Sequence, residues 1–179
     1  MEDKELLAKI RNPETRHYGF NLLVRHYQER IYWHIRKMVI DHDDADDLVQ
    51  EVFIKVWKGL DKFREDAQLF TWIYRIATNE CLTFLAKKKR RFFLPIGDVE
   101  KELSGKIDHN ANLTGDDIQQ KLHKALLKLP DKQRLVFNMK YFDNMKYDDI
   151  AAITNTSVGA LKASYHHAVK KIEEILNAD

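Results

Sequence analysis

The chain carries one cysteine, Cys81, so no disulfide can close within it, and a reducing compartment, the cytoplasm, is the simpler setting. Proline and glycine are scarce, at three and six in 179 residues, which excludes collagen and low-complexity disorder. No uncharged apolar run approaches the roughly 20 residues that span a bilayer. The opening Met1-Glu2-Asp3-Lys4-Glu5 lacks the basic-then-apolar order of a secretory signal. An excess of one charge is also missing: 30 Lys and Arg face 28 Asp and Glu, leaving a net +2. What is plentiful is total charge, 32% of residues, beside 44% apolar residues, the balance of a helical protein of one domain or two small ones.

The near-neutral total hides local imbalance. Lys87, Lys88, Lys89, Arg90 and Arg91 form an unbroken basic run, whereas Asp41, Asp43, Asp44, Asp46, Asp47 and Glu51 have no Lys or Arg among them. Two surfaces with opposite preferences in partner follow.

Pro95, Gly97, Gly105 and Gly115 cluster between residues 94 and 117 with Ser, Asn and Asp, so this stretch reads as a flexible linker. Two small all-α domains are expected, residues 1–93 and 118–179. All three tryptophans, Trp33, Trp57 and Trp72, fall in the first, so the halves are not repeats of one another. Apolar residues recur at three and four, and the spacing predicts helices over 3–10, from Pro13 to Val39, over 43–60 with Asp43 or Asp41 as cap, and over 68–88. The second half predicts helices at 117–128, 131–142 after Pro130, 146–153 and 157–176, the spacing of a helix-turn-helix module.

On a wheel at about 100° per residue, Ala45, Leu48, Val49, Val52, Val56 and Leu60 make the core stripe of the acidic helix. Opposite lie Asp43, Asp47 and Glu51 with Ile54, and Trp57 at the margin. Carboxylates alone are satisfied by water and the helix N-terminus. An apolar patch rimmed by them suits docking of a basic partner protein. The dyad His42-Asp43 with His26 or His34 upstream also suggests an all-helical metal phosphohydrolase, but no histidine pair has the i, i+4 spacing of a shared metal.

The fourth helix places Phe70, Ile73, Tyr74, Ala77, Cys81 and Phe84 inward and sets Trp72, Arg75, Asn79 and Thr83 on the other side. An aromatic plate with a cation and hydrogen-bonding groups suits unpaired bases, and the basic run follows within three helical turns, where it can track the same strand. The bland alternative packs Trp72 under a neighbouring loop. Cys81, on the core stripe, reads as a structural thiol.

In the second half Ala151 permits close helix approach, Asn155 sits where a turn needs positive φ, Ser157 can cap the next helix and Leu161 returns to the core. The second helix of such a unit enters the DNA major groove, leaving Ser157, Ala160, Lys162, Ser164, His166 and His167 facing outward. A purely structural helical hairpin would show the same features.

Three motifs stand in order: Asp46-Asp47-Leu48-Val49-Gln50-Glu51-Val52-Phe53-Ile54-Lys55-Val56-Trp57, Phe70-Thr71-Trp72-Ile73-Tyr74-Arg75-Ile76-Ala77-Thr78-Asn79, and Tyr147-Asp148-Asp149-Ile150-Ala151 with Ser157-Val158-Gly159. Over nearly the whole chain they resemble bacterial RNA polymerase sigma factors of the extracytoplasmic-function type. The resemblance implies a region-2-like domain at 1–93, a linker at 94–117 and a region-4-like helix-turn-helix domain at 118–179. It implies a transcription initiation factor without catalytic activity, metal or cofactor. Docking on the β′ clamp helices of the polymerase core falls to Asp43, Asp47, Gln50, Glu51, Ile54 and Trp57, with the β flap as a further contact. Capture of the melted minus-ten strand falls to Phe63, Arg64, Trp72, Arg75, Asn79 and Thr83, then to Lys87, Lys88, Lys89, Arg90 and Arg91. Reading of the minus-thirty-five duplex falls to Ser157, Val158, Gly159, Ala160, Lys162, Ser164, His166, His167 and Lys170. Promoter DNA and the polymerase core are the implied partners, and an anti-sigma factor is a further one the family admits.

Where family members place arginines along the recognition helix, this chain has Ser164, His167 and Val169, with Lys162, Lys170 and Lys171 basic. Fewer phosphate contacts predict weaker, less salt-dependent duplex binding, and the free protein is expected to bind DNA poorly. A stand-alone DNA-binding regulator would instead bind duplex unaided, as a dimer at paired half-sites.

Overall fold

The computed structural model describes residues 1–91, 96–108 and 116–178, and within them it is helical, with no strand. Helices α1 (Asp3–Arg11), α2 (Arg16–Val39), α3 (His42–Gly59) and α4 (Leu69–Arg91) form an N-terminal bundle, with a 3-10 turn at Leu60–Lys62. Helix α5 (Ile96–Asp108) follows, and α6 (Asp117–Leu126), α7 (Asp131–Tyr141), α8 (Tyr147–Thr154) and α9 (Val158–Ala178) make the C-terminal part.

The helix ends follow local chemistry. Asp41, rather than Asp43, caps α3 by accepting the Asp44 N–H at 3.0 Å. Pro13 lies ahead of α2 instead of in its first turn. Asn12 Oδ1 accepts the Glu14 N–H at 3.0 Å and the Thr15 hydroxyl donates to the Lys9 carbonyl at 2.7 Å, tying that segment into a turn. Gly19 then lets α2 pass close to α1: a Cβ there would stand 2.9 Å from the Lys9 Cβ. The passage from α2 to α3 is strained. Ile40 has φ 69° and ψ −45°, and the Asp41 N–H donates to the Val39 carbonyl at 2.8 Å, a γ-turn centred on a buried β-branched residue.

Leu23, Ile31, Ile35 and Met38 of α2 pack with Val52 and Val56 of α3 and with Ile73, Ala77 and Cys81 of α4. The same apolar cluster continues into Leu135, Met139, Ile150, Ile153 and Leu161, so the two sequence halves meet across one continuous core. A smaller cluster, centred on Leu126, Phe137, Ala168 and Ile172, belongs to the C-terminal part alone.

The stretch 94–117, expected to be a flexible connection, contains α5. Its Leu103 and Ile107 are buried, and Lys106 lies 3.4 Å from both Asp41 and Glu102. Ile96, Val99, Leu103 and Ile107 recur at helical spacing in this stretch, a pattern masked by Pro95, Gly97 and Gly105 among polar neighbours. Pro95 and Gly115, which also marked this connection, lie outside the described residues.

Candidate docking face and nucleic-acid interface

Helix α3 buries Ala45, Leu48, Val52, Phe53 and Val56 and turns Asp43, Asp47, Gln50 and Glu51 to solvent. Ile54 is 45% exposed among them, where a side chain of this type loses most by remaining in water. Among the described residues Asp43, Asp47 and Glu51 join no ion pair, whereas Asp41 meets Lys106 and Asp46 meets His42 at 3.2 Å. Trp57 is half-buried, stacked on His17 at 5.2 Å and edge-on to Phe20 at 4.9 Å, with the Arg16 guanidinium over its ring. Only its margin belongs to the outward face.

The histidines considered for a metal are engaged separately. His42 Nδ1 is 2.6 Å from the Tyr32 hydroxyl, His34 is buried against the Thr78 hydroxyl at 3.0 Å, and His26 lies edge-on to Tyr27.

On α4 the core stripe holds Ile73, Tyr74, Ala77 and Cys81 in the interior, and burial pushes the Cys81 thiol up to about 12. Trp72 is half-buried: its indole covers Gly59, where a Cβ would come within 2.9 Å, and lies 4.9 Å from the Phe63 ring. Phe63 itself is 8% exposed and packs as part of the core. The short loop folds it inward because Phe63 and Trp72 bury more apolar area together than either does alone. Arg64, Asn79 and Thr83 are exposed.

The basic run divides. Lys87 and Arg90 are exposed, but Lys88 pairs with Glu102 at 2.9 Å and Lys89 with Asp131 at 2.7 Å. These pairs draw two of the expected phosphate contacts into internal bridges. The Arg91 side chain lies outside the described residues.

In the C-terminal part, Asn155 ends α8 at φ 53° and ψ 45°, and Ser157 Oγ accepts the Ala160 N–H at 3.2 Å. Ser157, Gly159, Ala160, Lys162, His166, His167 and Lys170 are exposed, while Val158 and Ser164 are half-buried. Behind this helix a groove of about 490 Å³ is lined by Ile118, Leu122, Tyr141, Val169 and Leu176. Its exposed Ile118 was missed in the sequence, where an apolar residue on the polar side of α6 is the available signal.

The candidate faces of α4 and α9 share a cleft. Arg75 Nη2 donates to the Ala152 carbonyl at 2.6 Å, and Arg75, Asn79, Asn155, Thr156, Ala160 and Ser164 line a space of about 390 Å³. A second set of polar contacts fixes the junction. Arg134 Nη1 donates to the carbonyls of Lys37 and Met38 at 3.1 and 2.8 Å, and the Lys37 ammonium meets Asp143 at 2.5 Å. Burial pushes the Asp143 carboxyl up, but its contacts with His34 and Lys37 outweigh this and hold it below the usual carboxylate range. Nearby His123, stacked on Phe142 at 5.1 Å, is pushed down to about 4 by burial, with the charges of Lys37 and Arg134 adding to the effect. The sequence signal for this junction was two polar residues, Arg134 and Asn138, one turn apart at core positions of α7.

Comparison with known proteins accords with this geometry. The family model for sigma-70 region 2 matches residues 23–91, and that for sigma-70 region 4 matches residues 119–172. The chain is 30% identical to RNA polymerase sigma-H factor of Pseudomonas aeruginosa, over 98% of this chain and 94% of that protein. It is 29% identical to ECF RNA polymerase sigma-E factor of Escherichia coli K12, over 97% and 93%. Among solved structures it is similar to the sigma factor RpoE in complex with the anti-sigma factor NepR from Bartonella quintana. That match has a TM-score of 0.67 and 25% identity, covering 89% of this chain and 98% of that one. CnrH in complex with the cytosolic domain of CnrY shares the fold, with a TM-score of 0.70 and 24% identity over 99% and 98%.

Proposed function

The chain belongs to the extracytoplasmic-function sigma factors of bacterial RNA polymerase, and from that premise we propose how its surfaces divide the work. As a sigma factor it binds core polymerase and directs promoter recognition and transcription initiation. Initiation requires only binding and strand capture from it, so no side chain need act as a catalyst and no metal or cofactor is called for. Its place of work is the cytoplasm, where core polymerase is.

The core docks on the outward face of α3, through Asp43, Asp47, Gln50, Glu51 and Ile54. The observation that carries this reading is Ile54, exposed amid carboxylates that meet no cation among the described residues. Arg64, the open edge of Trp72, Arg75, Asn79, Thr83, Lys87 and Arg90 engage the melted minus-ten strand, by stacking and phosphate contact. The exposed residues of α9, from Ser157 to Lys170, face the minus-thirty-five duplex. The apolar groove at Ile118, Tyr141 and Leu176 is the surface offered to the β flap. An anti-sigma factor, which the structurally similar RpoE binds, is a further partner.

Mixing the purified chain with core polymerase and a fluorescent promoter duplex tests the reading. Complex formation followed by strand opening is expected; no association with core ends it.

A further inference from the structure

The cleft where α4 meets α7, α8 and α9 encloses about 390 Å³, within the roughly 300–1,000 Å³ of small-molecule sites. Its walls have two characters. Leu82, Val136, Ile153 and Leu161 supply apolar surface, while Arg75, Lys132, Asn155, Thr156 and Ser164 supply polar groups and the exposed Asn79 lies among them. Two of these residues are cations, and no Asp or Glu is among the described residues that line the space. The N-terminal end of α9, the positive end of its dipole, borders it through Thr156 and Ala160.

The hydrogen bonds around the cleft leave donors over rather than acceptors. Carbonyls at the end of α8 are taken: Ile150 accepts the Thr154 hydroxyl at 2.8 Å, Ala151 the Thr156 N–H at 3.3 Å and Ala152 an Arg75 Nη2 hydrogen at 2.6 Å. Arg75 Nε, in contrast, is buried and meets no acceptor among the described residues. A buried guanidinium N–H left without an acceptor is costly, and an incoming anion would relieve it. Lys132 is exposed and joins no ion pair among the described residues, so a second charge stands ready beside the first.

We propose that this cleft is a binding site for a small organic anion, an apolar body bearing one carboxylate, with the acid group held by Arg75 and Lys132 and the body laid on Leu82, Val136, Ile153 and Leu161. The site stands apart from the functional reading above. Its occupant touches α4 on one wall and α7, α8 and α9 on the others, so by linkage it stabilises their mutual arrangement.

The test is calorimetric titration of the full-length chain with naphthoate, a flat apolar body carrying one carboxylate. Its uncharged analogue naphthamide and inorganic phosphate are titrated alongside, and thermal melting is the second readout. One naphthoate per chain is expected, with a Kd on the order of 100 μM. Naphthamide, which lacks the charge, and phosphate, which lacks the body, should each bind at least about tenfold more weakly. Naphthoate should also raise the melting temperature. Arg75→Gln should weaken naphthoate about tenfold and leave naphthamide unchanged. Lys132→Gln, at an exposed position, should weaken it roughly threefold. Ala160→Phe, which fills the space, should abolish binding of both. No naphthoate binding to the wild type overturns the proposal, as does equal affinity for naphthoate and naphthamide, which would mark an apolar crevice without an anion site. Unchanged binding to Ala160→Phe places the ligand elsewhere and overturns it too. So does a loss of both ligands in Arg75→Gln with Lys132→Gln unaltered, since Arg75 would then only shape the cleft. Neither polymerase nor DNA enters these measurements, so the functional reading and the site fail separately.

Discussion

Arg134 and Met38 are 96 residues apart in sequence, yet the guanidinium of one donates to the backbone carbonyl of the other at 2.8 Å in the interior. The contact joins the start of α7 to the end of α2, and the same guanidinium also donates to the Lys37 carbonyl at 3.1 Å. Arg134→Met keeps the apolar stem but leaves the carbonyls of Lys37 and Met38 unanswered. It is expected to cost about 2–4 kcal/mol. Chemical denaturation monitored by circular dichroism measures it, and Arg134→Lys should recover part of the loss, since one ammonium still reaches one carbonyl.

Stability should also fall on mild acidification because of His123. Its folded value of about 4 lies below the ordinary 6.5, so the unfolded chain takes up the proton first as pH falls. The contribution is therefore complete above pH 6.5 and lost progressively towards pH 4, at up to about 1.4 kcal/mol per pH unit. Asp143, with its depressed carboxyl, loses its own contribution lower still, as pH drops through its folded value. Unfolding free energies measured from pH 7 to 4 should flatten in His123→Phe, whose ring keeps the stacking on Phe142.

The outward face of α3 should be separable from the fold. Asp47→Arg and Ile54→Lys remove one carboxylate and the exposed apolar centre, and each is expected to weaken association with core polymerase by tenfold or more, about 1.4 kcal/mol. Being solvent-facing, they should move the unfolding free energy by no more than about 0.5 kcal/mol. Titration against labelled core together with thermal melting reads both quantities.

At the helix-turn-helix, Asn155 occupies the left-handed region, at φ 53°. Asn155→Gly should leave stability level or slightly raised, while Asn155→Val should cost roughly 1–2 kcal/mol because a branched Cβ crowds the following carbonyl there. The comparison needs only melting curves of the two variants.

Asn155 also marks how far the sequence could be read. A residue tolerant of positive φ, a serine two places on and a leucine four beyond that are local features, and local features set the turn, the cap and the core return where the spacing placed them. The helices of both halves follow from periodicity for the same reason, with Pro13 displaced by turn bonds that Asn12 and Thr15 make. A helical wheel divides inside from outside, but it does not say which inside. Phe63 packs on Trp72, a contact that no local pattern announces; the two Lys residues at 88 and 89 look like surface charge until Glu102 and Asp131 are brought to them. The junction between the halves was hidden because its donors and acceptors are distant in sequence. Two of the acceptors are backbone carbonyls at a helix end, which carry no signature in the sequence at all.

The sealed thiol of α4 has a practical sequel. With Cys81 fully enclosed and protonated across the whole working range of pH, an alkylating reagent finds no other sulfhydryl in the chain and cannot reach this one while the bundle is shut. Its rate of modification in native buffer becomes a clock for the opening of the bundle around position 81, readable by mass alone and without any label having been introduced.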